Sequence, residues 1–227
     1  MVINCLLCKG ADVKIFWEQA GKINWEKYAK PHPADKVLRF FKCPTCELVF
    51  KNPDVFPEPA EEESVYKHHQ NDPKETGYRN FLLQLLNPIV EKVKGNNAIG
   101  LDYGSGPFPS NAEILKDFGI QCESFDPFFK NDPDLLLKKY DFITCSEVVE
   151  HFYHPAEEFE KLSKLILPNG WLGIMTQSPP EDFANWWYHR DPTHVVFYSK
   201  NTFLWISANF GFKVHFVSES VTLLQKN

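Results

Sequence analysis

Residues 147 to 154 read EVVEHFYH, and they follow the run YDFITCS at 140 to 146. Two glutamates three apart, with a histidine directly after the second, stand where a buried strand should deliver its chain to the surface. If residues 147 to 151 form a helical turn, Glu147, Glu150 and His151 share one face. Two carboxylates and an imidazole can hold magnesium, manganese or a later divalent ion. His151 can equally take a proton near neutral pH without an ion, or Glu150 and His151 can orient a loop by hydrogen bonds.

A second set of chemistry-bearing residues lies near the start. Cys5 and Cys8 form one C-x2-C pair, Cys43 and Cys46 another, separated by thirty-four residues. Each pair presents two sulfurs to one side of an ion, and two pairs close a tetrahedral zinc shell. With no coordination position left open, such zinc is structural. The alternative is two unrelated pairs of reduced thiols. Cys122 and Cys145 stand alone in apolar surroundings, which suits inert packing.

The elements that must position these residues follow from periodicity. VKIFWEQ and VLRFFKC read as short strands of a zinc-ribbon-like module over residues 1–60, closed by the proline- and acid-rich KNPDVFPEPAEEES. Residues 61–94 read as a linker and a helix, with apolar residues at 81, 82, 85, 86, 89, 90 and 93 and a kink before Pro88. From 95 to 227, strands alternate with helices: a strand to Asp102–Tyr103, a glycine turn and helix, a strand to Asp126, the strand YDFITC, a helix from Pro155 to the stop PNG, the strand WLGIMTQ, the helix NTFLWISANFGF, and two final strands. This is a mostly parallel α/β sheet ending in an antiparallel hairpin.

In such sheets ligands sit beyond the carboxyl ends of the strands. Gly104 and Gly106 in DYGSG let a ligand approach the backbone closely. Asp126, twenty residues after Gly106, can accept hydrogen bonds from ribose hydroxyls. Pro109 stands where a dinucleotide fingerprint would have glycine, which favours a nucleoside without a pyrophosphate.

Composition narrows the partners. The net charge is −6, and residues 1 to 60 carry nine Lys/Arg against seven Asp/Glu while the rest carries fifteen against twenty-three. An acidic body with no basic stripe disfavours nucleic acid. No apolar run reaches membrane-spanning length and no leader pattern opens the chain, so a cytoplasmic protein is expected. His68 and His69 read as surface residues.

Taken in order, LDYGSGPF, SFDPFF, YDFITCSEVVEHF and LILPNGWLGIMT resemble the motifs of the class I S-adenosylmethionine-dependent methyltransferases. That resemblance implies a Rossmann-like seven-stranded sheet, with Asp102, Gly104 and Gly106 lining the methionine moiety, Asp126 holding the ribose, and Ser105 and Ser146 as further cofactor-binding residues. EVVEHF is similar to the ubiquinone-biosynthesis O-methyltransferase group and to metal-dependent small-RNA 2′-O-methyltransferases. This likeness implies Glu147, Glu150 and His151 as candidate ligands of a divalent ion. His194 in FANWWYHRDPTHVVFYS is implied as a further ligand, with His189 second. Glu150, His151 and His194 are the expected catalytic residues. The aromatic residues of that run can wall an acceptor pocket, and Arg190–Asp191 reads as an ion pair. The favoured acceptor is a small-molecule hydroxyl. The rivals are an RNA methyltransferase, a sugar C-methyltransferase, and a non-catalytic zinc or adenosyl-ligand binder.

Overall fold

A computed structural model describes residues 3–19, 37–67 and 72–227, so His68 and His69 lie outside the described residues. The first described elements are β1 (Lys14–Gln19), β2 (Leu38–Lys42) and β3 (Val49–Lys51), paired antiparallel in that order. Two helices follow. Pro59 opens α1 (Pro59–Tyr66), where Glu58 and Glu61 form a capping box. In α2 (Thr76–Val93) the Glu75 carboxylate accepts from the amides of Gly77 and Tyr78. α2 continues through Pro88 as one helix, and its buried stripe of Leu82, Leu85, Leu86, Ile89, Val90 and Val93 is the face expected from the spacing.

The main body then runs β4 (Ile99–Tyr103), α3 (Ser110–Lys116), β5 (Gln121–Phe125), β6 (Tyr140–Ser146), α4 (Pro155–Leu165), β7 (Ile166–Met175), β8 (Val196–Phe197), α5 (Lys200–Phe210), β9 (Phe212–Phe216) and β10 (Val221–Lys226). Among the described residues the central sheet has six strands in the order β5-β4-β6-β7-β10-β9. The first four are parallel, and β10 runs antiparallel to both β7 and β9. The mixed α/β architecture and terminal hairpin match the expectation. The six strands among the described residues are one fewer than the seven the resemblance implies; between β5 and β6 the chain makes a 3-10 turn at Pro133–Leu137, with Asp132 accepting from the Asp134 amide. The PNG segment is also different. It lies inside β7, where the pairing with β6 shifts between Tyr140 and Phe142 and Asn169 takes a left-handed φ of 65°.

Each face of the central sheet carries a core. On one side α2 and α3 cover Phe142, Met175 and Leu223. On the other, Ile143, Phe159 and Phe203 pack in one continuous cluster with Cys5, Cys43, Cys46 and Phe50 of the N-terminal segment. The N-terminal sheet is completed by β8, which pairs with β3 through Val49↔Phe197 and Phe50↔Val196. Thus a strand from the 1–60 segment and one from the main body share hydrogen bonds as well as a core.

Gly100 in β4 has no room for a side chain, since a Cβ there would lie 2.1 Å from the Phe142 ring. Phe142 is fully buried against α2, so it cannot give way cheaply. Gly100→Ala is predicted to destabilise the protein by about 1–3 kcal/mol in urea unfolding; an unchanged midpoint would contradict this packing.

Candidate active site

At the carboxyl end of β4 the chain turns through Gly104 (φ 80°) and Gly106 (φ 64°), both in the left-handed region that favours glycine. A Cβ on Gly104 would strike Val148 at 2.6 Å, so the turn packs directly on the loop leaving β6. Asp126, at the end of β5, ties the turn down. Its Oδ2 accepts from the Gly106 amide (2.8 Å), and its Oδ1 from the amides of Phe128 (2.9 Å) and Phe129 (3.0 Å). Three donors leave acceptor capacity on Oδ2, enough for one hydroxyl.

Behind the turn, Asp102 is buried and accepts from Asn111 Nδ2 (2.7 Å) and Thr144 Oγ1 (3.1 Å). Burial pushes its carboxyl up to about 6, against the pull of those two donors. Asn111 Nδ2 also reaches Ser146 Oγ at 3.0 Å, while its buried Oδ1 has no hydrogen-bond partner among the described residues. That orphan acceptor, on the cavity wall, suits a ligand ammonium or hydroxyl. Asp102, Gly104, Ser105, Gly106, Asp126 and Ser146 all line one cavity of about 590 Å³.

The opposite wall holds the second expected group. After β6, Glu147 takes a left-handed φ of 54° and only Val149–His151 form a 3-10 turn. The helical turn expected over 147–151 is therefore absent, and Glu147 does not share a face with Glu150 and His151. Instead the Tyr188 hydroxyl lies between the two carboxylates, 3.0 Å from Glu147 Oε2 and hydrogen-bonded to Glu150 Oε1. Glu150 is fully buried and also accepts from Thr176 Oγ1 at 2.9 Å. Glu150, His151 and His194 do converge, each offering a ligand atom within 4.8 Å of the others.

Hydrogen bonds set both imidazoles. His151 Nδ1 meets the Thr193 carbonyl (3.0 Å) and His194 Nδ1 the Tyr188 carbonyl (2.8 Å). A carbonyl only accepts, so each Nδ1 carries the proton and Nε2 is the basic nitrogen of the neutral ring. The rings meet edge to face at 4.8 Å. Burial raises Glu147 to about 7, opposed by Tyr188; burial and then the Glu147 charge raise Glu150 well above the carboxylate range. Burial works against an ionised Asp191 too, yet His194, the Thr193 hydrogen bonds and His151 hold it at about 2. Asp191 accepts from the Thr193 amide and hydroxyl at 2.9 and 2.6 Å, which is how this loop is fixed in place of the expected Arg190 pair.

His189 lies outside this group. Its ring stacks on Phe183 at 4.5 Å in an aromatic cluster, and burial, followed by the charges of Arg190 and Lys51, lowers it to about 4. Cys145 is fully buried with its thiol pushed well up by burial, in keeping with packing. Of the aromatic run, Trp187 and Tyr188 line the cavity, Trp187 being 67% exposed at its mouth; Phe183, Phe197 and Tyr198 are core.

Several lining residues carry no motif in the sequence. Glu62 and Tyr66 from α1 hydrogen-bond at 2.6 Å, and Tyr66 meets His151 ring to ring at 5.3 Å. Their i, i+4 spacing in an acidic stretch was the one available signal. Glu158 and Lys161, also outside any motif, form a hydrogen-bonded trio on the same cavity with Tyr103 of the DYGSG turn.

The four cysteines of the N-terminal segment also converge. Cys5 and Cys46 Sγ lie 3.5 Å apart and Cys8 and Cys43 Sγ 3.4 Å, all four within 4.8 Å. Tetrahedral zinc with bonds of about 2.3 Å separates its sulfurs by about 3.8 Å, so the donor set fits that ion with little adjustment.

Comparison with known proteins agrees with this geometry. Two curated relatives are both ubiquinone biosynthesis O-methyltransferases. That of Photobacterium profundum is 26% identical over 84 residues, 37% of this chain and 36% of the relative. That of Erwinia tasmaniensis is 27% identical over 77 residues, 34% and 32% of the two chains. The match spans about a third of the length of these relatives. A SAM-dependent methyltransferase from Archaeoglobus fulgidus shares the fold with a TM-score of 0.51 at 20% identity, over 65% of this chain and 94% of that one. Human N-acetylserotonin methyltransferase, solved in complex with SAM, shares it with a TM-score of 0.53 at 12% identity, over 75% and 57%. A family model described as a methyltransferase domain matches residues 67–217, well over half the chain and all of the cavity's strand-end walls. The chain belongs to the methyltransferase family.

Proposed function

We propose that the protein transfers a methyl group from S-adenosylmethionine to a hydroxyl of a small-molecule acceptor. The observation that carries this reading is one cavity of about 590 Å³ with a glycine and aspartate wall suited to a nucleoside facing a wall of imidazoles and carboxylates suited to proton removal. Its size is that of a small-molecule site. The acidic body, with a net charge of −6, disfavours a polyanion such as RNA. The O-methyltransferase relatives point to oxygen as the atom methylated.

When bound, S-adenosylmethionine supplies an electrophilic methyl on a sulfonium. Asp126 accepts a ribose hydroxyl on its remaining lone pair, while Asn111 Oδ1 and the Asp102 carboxyl receive the polar end of the methionine moiety. His151 takes the acceptor's hydroxyl proton on Nε2, its Nδ1–H held by Thr193. As the acceptor oxygen bonds to the methyl carbon, the carbon–sulfur bond breaks and its electron pair stays on sulfur. In an alternative arrangement, with His151 Nε2 as a ligand and not the base, Glu150, His151 and His194 would offer one oxygen and two nitrogens to a divalent ion, which would lower the hydroxyl pKa so that solvent could take the proton. The cysteine cluster is a structural zinc site on this reading, and its closed shell keeps it out of the reaction.

Radiolabelled methyl from S-adenosylmethionine, incubated with the protein and a fractionated cell extract, should enter the small-molecule fraction. His151→Ala should lower the rate by about 100- to 10,000-fold. Label in RNA, or undiminished transfer by the variant, would contradict the proposal. Elemental analysis should find one zinc per chain, lost in Cys43→Ser with a fall in stability of several kcal/mol, on the order expected for a structural site; zinc retained by the variant would contradict the four-thiolate assignment.

The buried carboxyls fix the pH dependence. Glu147 (about 7) and Asp102 (about 6) keep their protons in the folded chain at pH values where the unfolded chain has lost them. The stability this gives is full below about pH 4 and is lost as pH rises through about 6 to 7. Asp191, held at about 2, acts with the opposite sign, but only in a more acidic range. Urea unfolding of the ligand-free protein should show stability falling by on the order of 1–3 kcal/mol between about pH 5 and 8, with a shallower fall in Glu147→Gln. A profile that rises over this range would contradict the assignment.

A further inference from the structure

Lys51 ends β3 and is 1% exposed, a position an ammonium rarely occupies. Its Nζ donates to the carbonyl oxygens of Pro192 (2.8 Å) and Asp191 (3.3 Å), and the Asp191 carboxylate adds its attraction. Its backbone amide donates to the Val195 carbonyl at 2.8 Å. One residue of the N-terminal segment thus grips both sides of the 191–195 turn. A methionine would fill similar volume without the several kcal/mol that desolvating a charge costs. What the ammonium adds is a hold on two carbonyls facing inward from irregular backbone.

The same turn carries the groups that set the imidazoles. The Thr193 carbonyl holds His151 Nδ1, the Val195 amide donates to the Glu150 carbonyl at 2.9 Å, and the turn begins three residues after Tyr188, whose carbonyl holds His194 Nδ1. On its other side β3 is fixed by the second cysteine pair. The Cys43 amide donates to the Leu48 carbonyl and the Glu47 amide to the Cys43 carbonyl, both at 3.0 Å, and the Glu47 carboxylate accepts from Asn201 at 2.7 Å. Hydrogen bonds at both ends of β3 thus link the cysteine cluster, through the strand's own backbone and Lys51, to the turn whose backbone holds the two histidines.

We propose that Lys51 is a positioning residue through which the four-cysteine module sets the orientation of His151 and His194. Its consequence for catalysis rests on the methyltransferase reading, whereas the orientation itself can be measured without turnover. In isotope-labelled protein the two Nδ1–H groups, each held by a carbonyl, should give slowly exchanging imidazole signals. Lys51→Met keeps the volume and removes the grip. The expected result is loss of both signals or exchange at least about tenfold faster, while the Kd for S-adenosylhomocysteine changes by less than about twofold, because its wall is built from β4 and β5. Imidazole signals unchanged in Lys51→Met would overturn the assignment. Failure of the unsubstituted protein to bind S-adenosylhomocysteine would count instead against the methyltransferase reading alone. Where Lys51→Met does not fold, hydrogen exchange of the unsubstituted protein after adding a zinc chelator makes the same test. The Val195 amide should lose protection together with the Glu47 amide; protection kept at Val195 while Glu47 loses it would overturn the proposal.

Discussion

The fully buried Glu150 carboxyl is the constraint around which the site is organised. A carboxyl taken out of water must be protonated or surrounded by donors, because leaving it unsatisfied costs several kcal/mol. Here Thr176 at the end of β7 and Tyr188 from the following loop both donate to it, and its backbone carbonyl receives the Val195 amide. Three segments distant in sequence are thereby tied to one residue in the 3-10 turn that follows β6. The shared Tyr188 hydroxyl also couples Glu150 to Glu147, so two carboxyls that would repel when ionised sit on one donor. Such an arrangement contributes little to folding that an apolar set could not, which is why it reads as a reactive wall.

The cofactor wall follows from a simpler rule. Parallel strands leave their carboxyl ends beside a crevice where the strand order reverses, here between β4 and β6. Gly104 exists as glycine because Val148 occupies the space of its Cβ, and Asp126 is spent mostly on holding the turn, with one acceptor site left for a ligand. The two walls therefore meet through Gly104 and Val148, and a displacement of either loop is felt by the other. The cysteine module enters the same scheme through the β3–β8 pairing, which makes it a support for the loop carrying His194 as well as a compact unit of its own.

Much of this was legible in the sequence. The apolar runs of β4 and β6, the stripe of α2 and the proline and glycine punctuation place the main elements, and the ordered motifs indicate the ligand class. The paired cysteines announce a cluster because few other structures need that spacing. What the sequence could not show is local backbone geometry. A left-handed Glu147 breaks the helical face that spacing alone implies, and nothing in EVVEHF marks it. The proline-rich stretch after Cys46 reads as linker because composition cannot reveal that Lys51 is buried under the far loop, or that Glu62 and Tyr66 of α1 close the cavity. Asn111 was equally silent, an ordinary polar residue opening a helix until its amide is seen between Asp102 and Ser146.

The central claim is that one cavity holds the methyl donor against the imidazole wall. A crystal structure of the protein with S-adenosylhomocysteine tests it most directly. The ribose is expected on Asp126, the amino-acid end beside Asp102 and Asn111, and the sulfur turned toward His151. A ligand bound elsewhere, or in this cavity with its sulfur turned away from His151, would contradict it.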